Sequence, residues 1–162
     1  MASHAARPIA CGAQRANRIY ALILGFLCVL FALRVAGQAI QRWVPLSFLP
    51  PSDAFQGSEL PYALLLSIQL FLLALMLGVT SRVYGDALRK SARAAHMLGW
   101  IGGIYMAGSL VRLAVGLAFD EAPDWFTAWI PAGFHLVLAA FVLTLAAYHA
   151  LERAAVQKEA PR

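Results

Sequence analysis

Four apolar segments, at about 19–40, 61–83, 94–119 and 125–151, fill most of this 162-residue chain, and hardly a charge interrupts them. That feature limits the fold more than any other. Each segment is long enough to cross ~30 Å of hydrocarbon at about 1.5 Å per helical residue. Lipid offers the backbone no hydrogen bonds, so a spanning segment must satisfy its own, as a helix does. Apolar and polar residues do not alternate at period two, which argues against a β-barrel. Composition agrees: 61% of residues are apolar and 13% charged, against roughly 45–50% and about 25% in soluble domains. Too little charge remains to cover a soluble surface. The expected fold is an all-α integral membrane protein, an up-down four-helix bundle built on short connections. The first segment follows Arg15 and Arg18 as a signal peptide would, but Arg34 stands where a cleavage region would begin, so it reads as a span.

Basic residues orient the spans. Arg7, Arg15 and Arg18 precede the first; Arg82, Arg89, Lys90 and Arg93 flank the second connection; Arg153, Lys158 and Arg162 follow the last. The opposite side holds Arg42 and the acids Asp53, Glu59, Asp120, Glu121 and Asp124. The basic side is the cytoplasmic one, so both termini are expected inside a bacterial inner membrane. Trp43, Tyr62, Trp125 and Trp129 fall at the outer border, where amphipathic rings settle. Residues 1–18 show no apolar periodicity and read as a disordered cytoplasmic tail. Residues 152–162 form a second tail, with room for a brief helical extension before Pro161. The net charge of +5 does not indicate nucleic acid, because the basic residues sit at membrane borders rather than along one run. Cys11 and Cys28 are too few for a disulfide framework. The acids 120, 121 and 124 read as a solvated loop rather than a metal site.

Small residues recur every four positions in the third segment, at Ala95, Gly99, Gly103 and Ala107. Such a stripe lets a neighbouring backbone approach closely, either within the bundle or in a partner copy.

Polar residues within the spans are few. Arg34 and Arg112 are the only charges well inside them, each about two turns or fewer from the outer end of its segment. Gln38 lies one turn beyond Arg34. Gln69 stands about two turns into the second segment. Tyr105, Ser109 and Arg112 share a face of the third, and His135 lies one turn beyond Pro131 in the fourth. If these faces converge, they form a cationic pocket of Arg34, Gln38, Gln69, Tyr105, Arg112 and His135. Guanidinium forks suit phosphate and carboxylate, so a lipid headgroup, a lipid-linked phosphate or a quinone would fit. The structural alternative is that the arginines bond carbonyls, the glutamines, or the loop acids Glu59 and Asp124, and only fix the bundle.

His135 and His149 are fourteen residues apart, a spacing similar to the two-histidine helices of b-type cytochromes. His96 is level with His149, so at most one bis-histidine haem b could form, through His96 and His149. Catalytic signatures such as HExxH, GxSxG, a phosphate-binding glycine loop or CxxC are absent from the sequence.

The run Arg34-Val35-Ala36-Gly37-Gln38, the Leu49-Pro50-Pro51 loop, Leu60-Pro61-Tyr62, and Trp129-Ile130-Pro131 followed by Phe134-His135 together resemble a group of small bacterial inner-membrane proteins. The resemblance spans about residues 30 to 150. It implies a four-helix fold, and it transfers neither an activity nor a functional residue. The leading expectation is binding or passage of a lipid-like or anionic ligand in the outer half of the bilayer. The alternatives are a non-catalytic subunit or assembly factor, working with membrane lipids and a membrane-protein partner or a second copy, and a single-haem or quinone-binding redox protein.

Overall fold

The structure, a computed structural model, describes residues 6–44, 46–50, 60–119 and 124–159, with side chains from residue 14 to residue 151 except those of Asp124 and Trp125. The acids Asp53, Glu59, Asp120 and Glu121, the side chain of Asp124, and the outermost tail residues therefore lie outside what is described. The elements are α1 (Ala6–Trp43), α2 (Tyr62–Tyr84), α3 (Ala92–Ala118), the single-turn α4 (Asp124–Thr127) and α5 (Trp129–Glu159). The described residues contain no strand. Four helices are long and apolar enough to cross a membrane: Gln14–Trp43, Tyr62–Tyr84, Ala92–Ala118 and Trp129–Leu151. Their outward faces carry large apolar side chains, with Phe26 62%, Phe71 69%, Ile104 68% and Leu117 73% exposed. A soluble monomer rarely shows so continuous an apolar surface; lipid would cover it without cost.

The core follows a heptad-like register. In α1, Ala21, Leu24, Cys28, Phe31 and Val35 are buried at alternating spacings of three and four. In α2, Met76 and Val83 are buried seven apart, and Phe141 and Tyr148 of α5 repeat that spacing. Residues at this period keep facing the same neighbour along a gently supercoiled pair. These side chains form one cluster among α1, α2 and α5.

Local chemistry sets the helix ends. Pro61 precedes α2 with φ −53°, suiting a position that needs no donor. Gly85 ends α2; its N–H donates to Ser81 O, and the Asp86 N–H donates to Val83 O. Asp86 follows with φ 55°, a left-handed conformation that aspartate tolerates better than most residues. The Ser91 side chain caps α3 by accepting from Ala94 N at 3.4 Å.

α1 packs on α2 and on α5, and α5 packs most extensively on α3. Contacts at two levels establish the antiparallel succession. At one end, Asn17 Nδ2 donates to Asp86 Oδ1 at 2.7 Å and Tyr148 Oη donates to Leu88 O at 3.0 Å. That end carries Arg15, Arg18, Arg82, Arg89, Lys90 and Arg93, and is called the basic end. At the far end, Gln38 meets Gln69, and Arg34 lies over Phe134.

Three features differ from expectation. First, sequential helices are not all neighbours: α2 and α3 share no extended interface. Three sides of the bundle are packed and the fourth, between α2 and α3, is open. The Gly85–Ser91 connection holds these two helices through its bonds to α1 and α5 rather than through each other. Second, residues 6–18, expected to be disordered, are helical and continuous with α1. Asn17 is 3% exposed and bonded to Asp86. Once the apolar part of α1 is anchored, adding residues to its end requires no new nucleation. Third, the segment expected over 125–151 is broken at Ala128 into α4 and α5. Pro131 has no N–H for the Thr127 carbonyl, and its ring crowds that carbonyl, so the helix restarts.

Candidate ligand-binding site

The far end of α1 keeps its packing register but changes its chemistry. After Val35, the next inward positions are Gln38 and Gln41, 4% and 8% exposed, with Arg34 beside them at 8%. On α2, Gln69 occupies the position seven before Met76 and is 5% exposed. Polar side chains therefore stand where leucines would otherwise pack, and the helices that bury the core bury them too.

These residues form one hydrogen-bonded group. Arg34 Nη1 donates to Gln38 Oε1 at 2.6 Å, and Gln69 Nε2 donates to the same oxygen at 3.2 Å. The Arg34 guanidinium lies 5.6 Å from the ring centroid of Phe134 on α5, within range of a cation–π attraction. Three helices are joined at this point.

A second group joins α3 to α5. Tyr105 Oη and His135 Nδ1 are 2.5 Å apart, with their rings edge to face at 5.8 Å between centroids. Ser109 Oγ donates to Tyr105 O at 2.8 Å, one turn back on the same face. Arg112 is 5% exposed. Phe134 and His135 are adjacent on α5, so the ring under Arg34 and the partner of Tyr105 come from the same turn of one helix. Five of the six expected site residues thus fall in two hydrogen-bonded groups, Arg34–Gln38–Gln69 and Tyr105–His135, and Arg112 is buried on α3 one turn beyond Ser109.

Gln69 Oε1 and Tyr62 Oη are buried here without a hydrogen-bond partner. Arg42 lies over the Tyr62 ring at 5.9 Å, further out on the far end. Gln41 contributes differently: its Oε1 accepts from Leu46 N at 3.0 Å and ties down the chain after α1.

The histidines considered for haem have different surroundings. His96 is exposed and, with Ala95, Gly99 and Trp100, lines a shallow groove of ≈ 260 Å³ on α3 at the basic end. His149 is buried, and its Nδ1 accepts from Ser91 N at 3.2 Å. Metal-bound histidines ordinarily donate from the second ring nitrogen, and His149 uses Nδ1 as an acceptor. No group of three or more metal-ligating side chains occurs among the described residues.

The small-residue stripe flanks the packed face of α3. A Cβ on Gly99 or Gly103 would meet nothing within 4 Å, whereas one on Gly102 would lie 3.0 Å from Leu143. Close packing of α3 on α5 runs through Gly102, while Gly99 and Gly103 of the stripe face open space at the Cβ position.

Residues that the sequence did not single out include Phe134, whose ring accepts the Arg34 cation, and the pair Asn17–Asp86. Phe134 had a readable signal, since it immediately precedes His135 near the level of Arg34. Asn17 had none, because it stands in a polar run without periodicity.

No protein-family model, curated protein or solved structure matches the chain.

Proposed function

We propose that this chain is a multi-pass protein of a bacterial inner membrane that binds an anionic or carbonyl-bearing, lipid-like ligand. Both termini lie in the cytoplasm, as the basic end requires. The far end then occupies the outer half of the bilayer, and the open side between α2 and α3 gives lipid lateral access to it. The observation that carries this reading is the buried Arg34–Gln38–Gln69 group, set in a packing stripe that is apolar along the rest of α1 and α2. Burying a guanidinium in place of an apolar side chain costs folding energy, and recognition of an anion gives that expense a use. Nothing in the site calls for catalysis.

Substitution tests it. Arg34→Gln and Arg112→Gln, made singly, are expected to weaken binding of an anionic phospholipid about tenfold or more, as read by native mass spectrometry of the detergent-purified chain. Thermal unfolding without added lipid is expected to change little. Fold and binding lost together in both variants would leave the arginines a purely structural role.

A second reading, that of a non-catalytic subunit or homo-oligomer, draws on one observation: the Gly99–Gly103 flank of α3 is uncovered. Substitution at Gly103 separates the two readings.

A further inference from the structure

The lipid-binding reading leaves one feature of the site unexplained. Gln69 is 5% exposed, and its Oε1 has no partner. The orientation of this amide is fixed by its neighbour. Gln38 Oε1 receives Arg34 Nη1 and Gln69 Nε2 together, so Gln38 presents a carbonyl acceptor. Turning the Gln69 amide over would set two carbonyl oxygens against each other. Gln69 Oε1 must therefore point away from Gln38, as a buried acceptor on an amide that shares Gln38 Oε1 with the Arg34 guanidinium. A bare phosphate or carboxylate offers it nothing, since both are acceptors.

Resting on that reading, we infer that the site selects a headgroup that combines an anionic group with an adjacent O–H or N–H donor. The anion meets Arg34, and the donor meets Gln69 Oε1. Hydroxylated phosphate esters have this pairing. Headgroups whose phosphate is capped by methyl, or carried only beside a quaternary amine, do not. Leaving a buried acceptor unsatisfied is penalised by about a factor of ten or more, and that factor is the expected selectivity.

The test uses the full chain in mild detergent, titrated with lipids of identical acyl chains and followed by native mass spectrometry. Phosphatidylglycerol and phosphatidylmethanol each carry one negative charge, and only the first has hydroxyl donors. Phosphatidylglycerol is expected to bind about tenfold more tightly than phosphatidylmethanol, and phosphatidylmethanol more tightly than phosphatidylcholine. Equal binding of the two anionic lipids, both above phosphatidylcholine, overturns this inference and leaves anion binding standing. Equal binding of all three overturns anion recognition itself. In Gln69→Met, which removes the acceptor together with the Nε2 donor to Gln38, the preference for phosphatidylglycerol over phosphatidylmethanol is expected to fall to within about twofold. A tenfold preference that survives in Gln69→Met overturns the assignment to Gln69. Should that variant fail to fold, the wild-type comparison decides alone. Soluble sn-glycerol 3-phosphate separates the sources: displacement of phosphatidylglycerol by it supports a free phosphate ester as the natural ligand, and no displacement supports a lipid.

Discussion

Tyr105 and His135 show what a buried polar pair contributes at the scale of single residues. Their 2.5 Å contact links α3 to α5 in the half-buried part of the site. Removing one partner leaves the other to bear its desolvation cost. Tyr105→Phe is therefore expected to lower stability by about 1 kcal/mol, at the low end of the range because both side chains are only partly buried. A denaturant titration in mixed micelles measures it; an unchanged midpoint would show that water replaces the hydroxyl. The buried polar residues were legible in the sequence because an arginine or glutamine amid twenty apolar residues stands out, whether it serves a ligand or only fixes the bundle. Their partners were less so. That Gln38 serves two donors, or that Arg34 meets Phe134 across a helix boundary, depends on rotation angles that composition does not encode. Asn17 shows the opposite limit: a polar residue in a polar run carries no signal, yet it is buried and bonded to Asp86.

At the scale of elements, glycines distinguish packed helix faces from open ones. Every-fourth spacing drew attention to Gly99 and Gly103, but the close approaches occur at Gly102 and Gly116. The spacing identifies a face able to pack, while helix rotation decides which residues on it do so. A Cβ at Gly116 would run into the Phe126 carbonyl oxygen and lie 2.7 Å from its carbon. The obstacle is backbone, so α4 would have to move. Gly116→Ala is expected to cost about 1–3 kcal/mol through this overpacking, well beyond the helix propensity it gains. Gly103→Ala meets open space and is expected to stabilise the isolated chain by roughly 0.5–1 kcal/mol. Thermal unfolding in detergent reads both. If Gly103→Ala instead destabilises the protein and reduces its particle size, a second copy or another membrane helix packs on this flank, and the subunit reading gains over the lipid one.

For the whole molecule, hydropathy read out the four helices but not how they close. An up-down order predicts four packed sides, and one is left open because α2 and α3 are held by the Gly85–Ser91 connection to α1 and α5 rather than by each other. That opening matters functionally only if the far end, which holds Arg34 and Gln69, faces the outer leaflet. Orientation is thus the premise on which the ligand assignment depends. It rests on the basic residues gathered at the end that holds Arg15, Arg82, Arg89 and Arg93. Single cysteines in a background lacking Cys11 and Cys28 test it in intact cells with a membrane-impermeant maleimide. Phe48→Cys, at a position 79% exposed beyond the far end, is expected to react in intact cells. Arg89→Cys, exposed at the basic end, is expected to react only after lysis. The reverse pattern would turn the bundle over, place the guanidiniums in the inner leaflet, and make cytoplasmic anions rather than outer-leaflet lipids the first ligands to try.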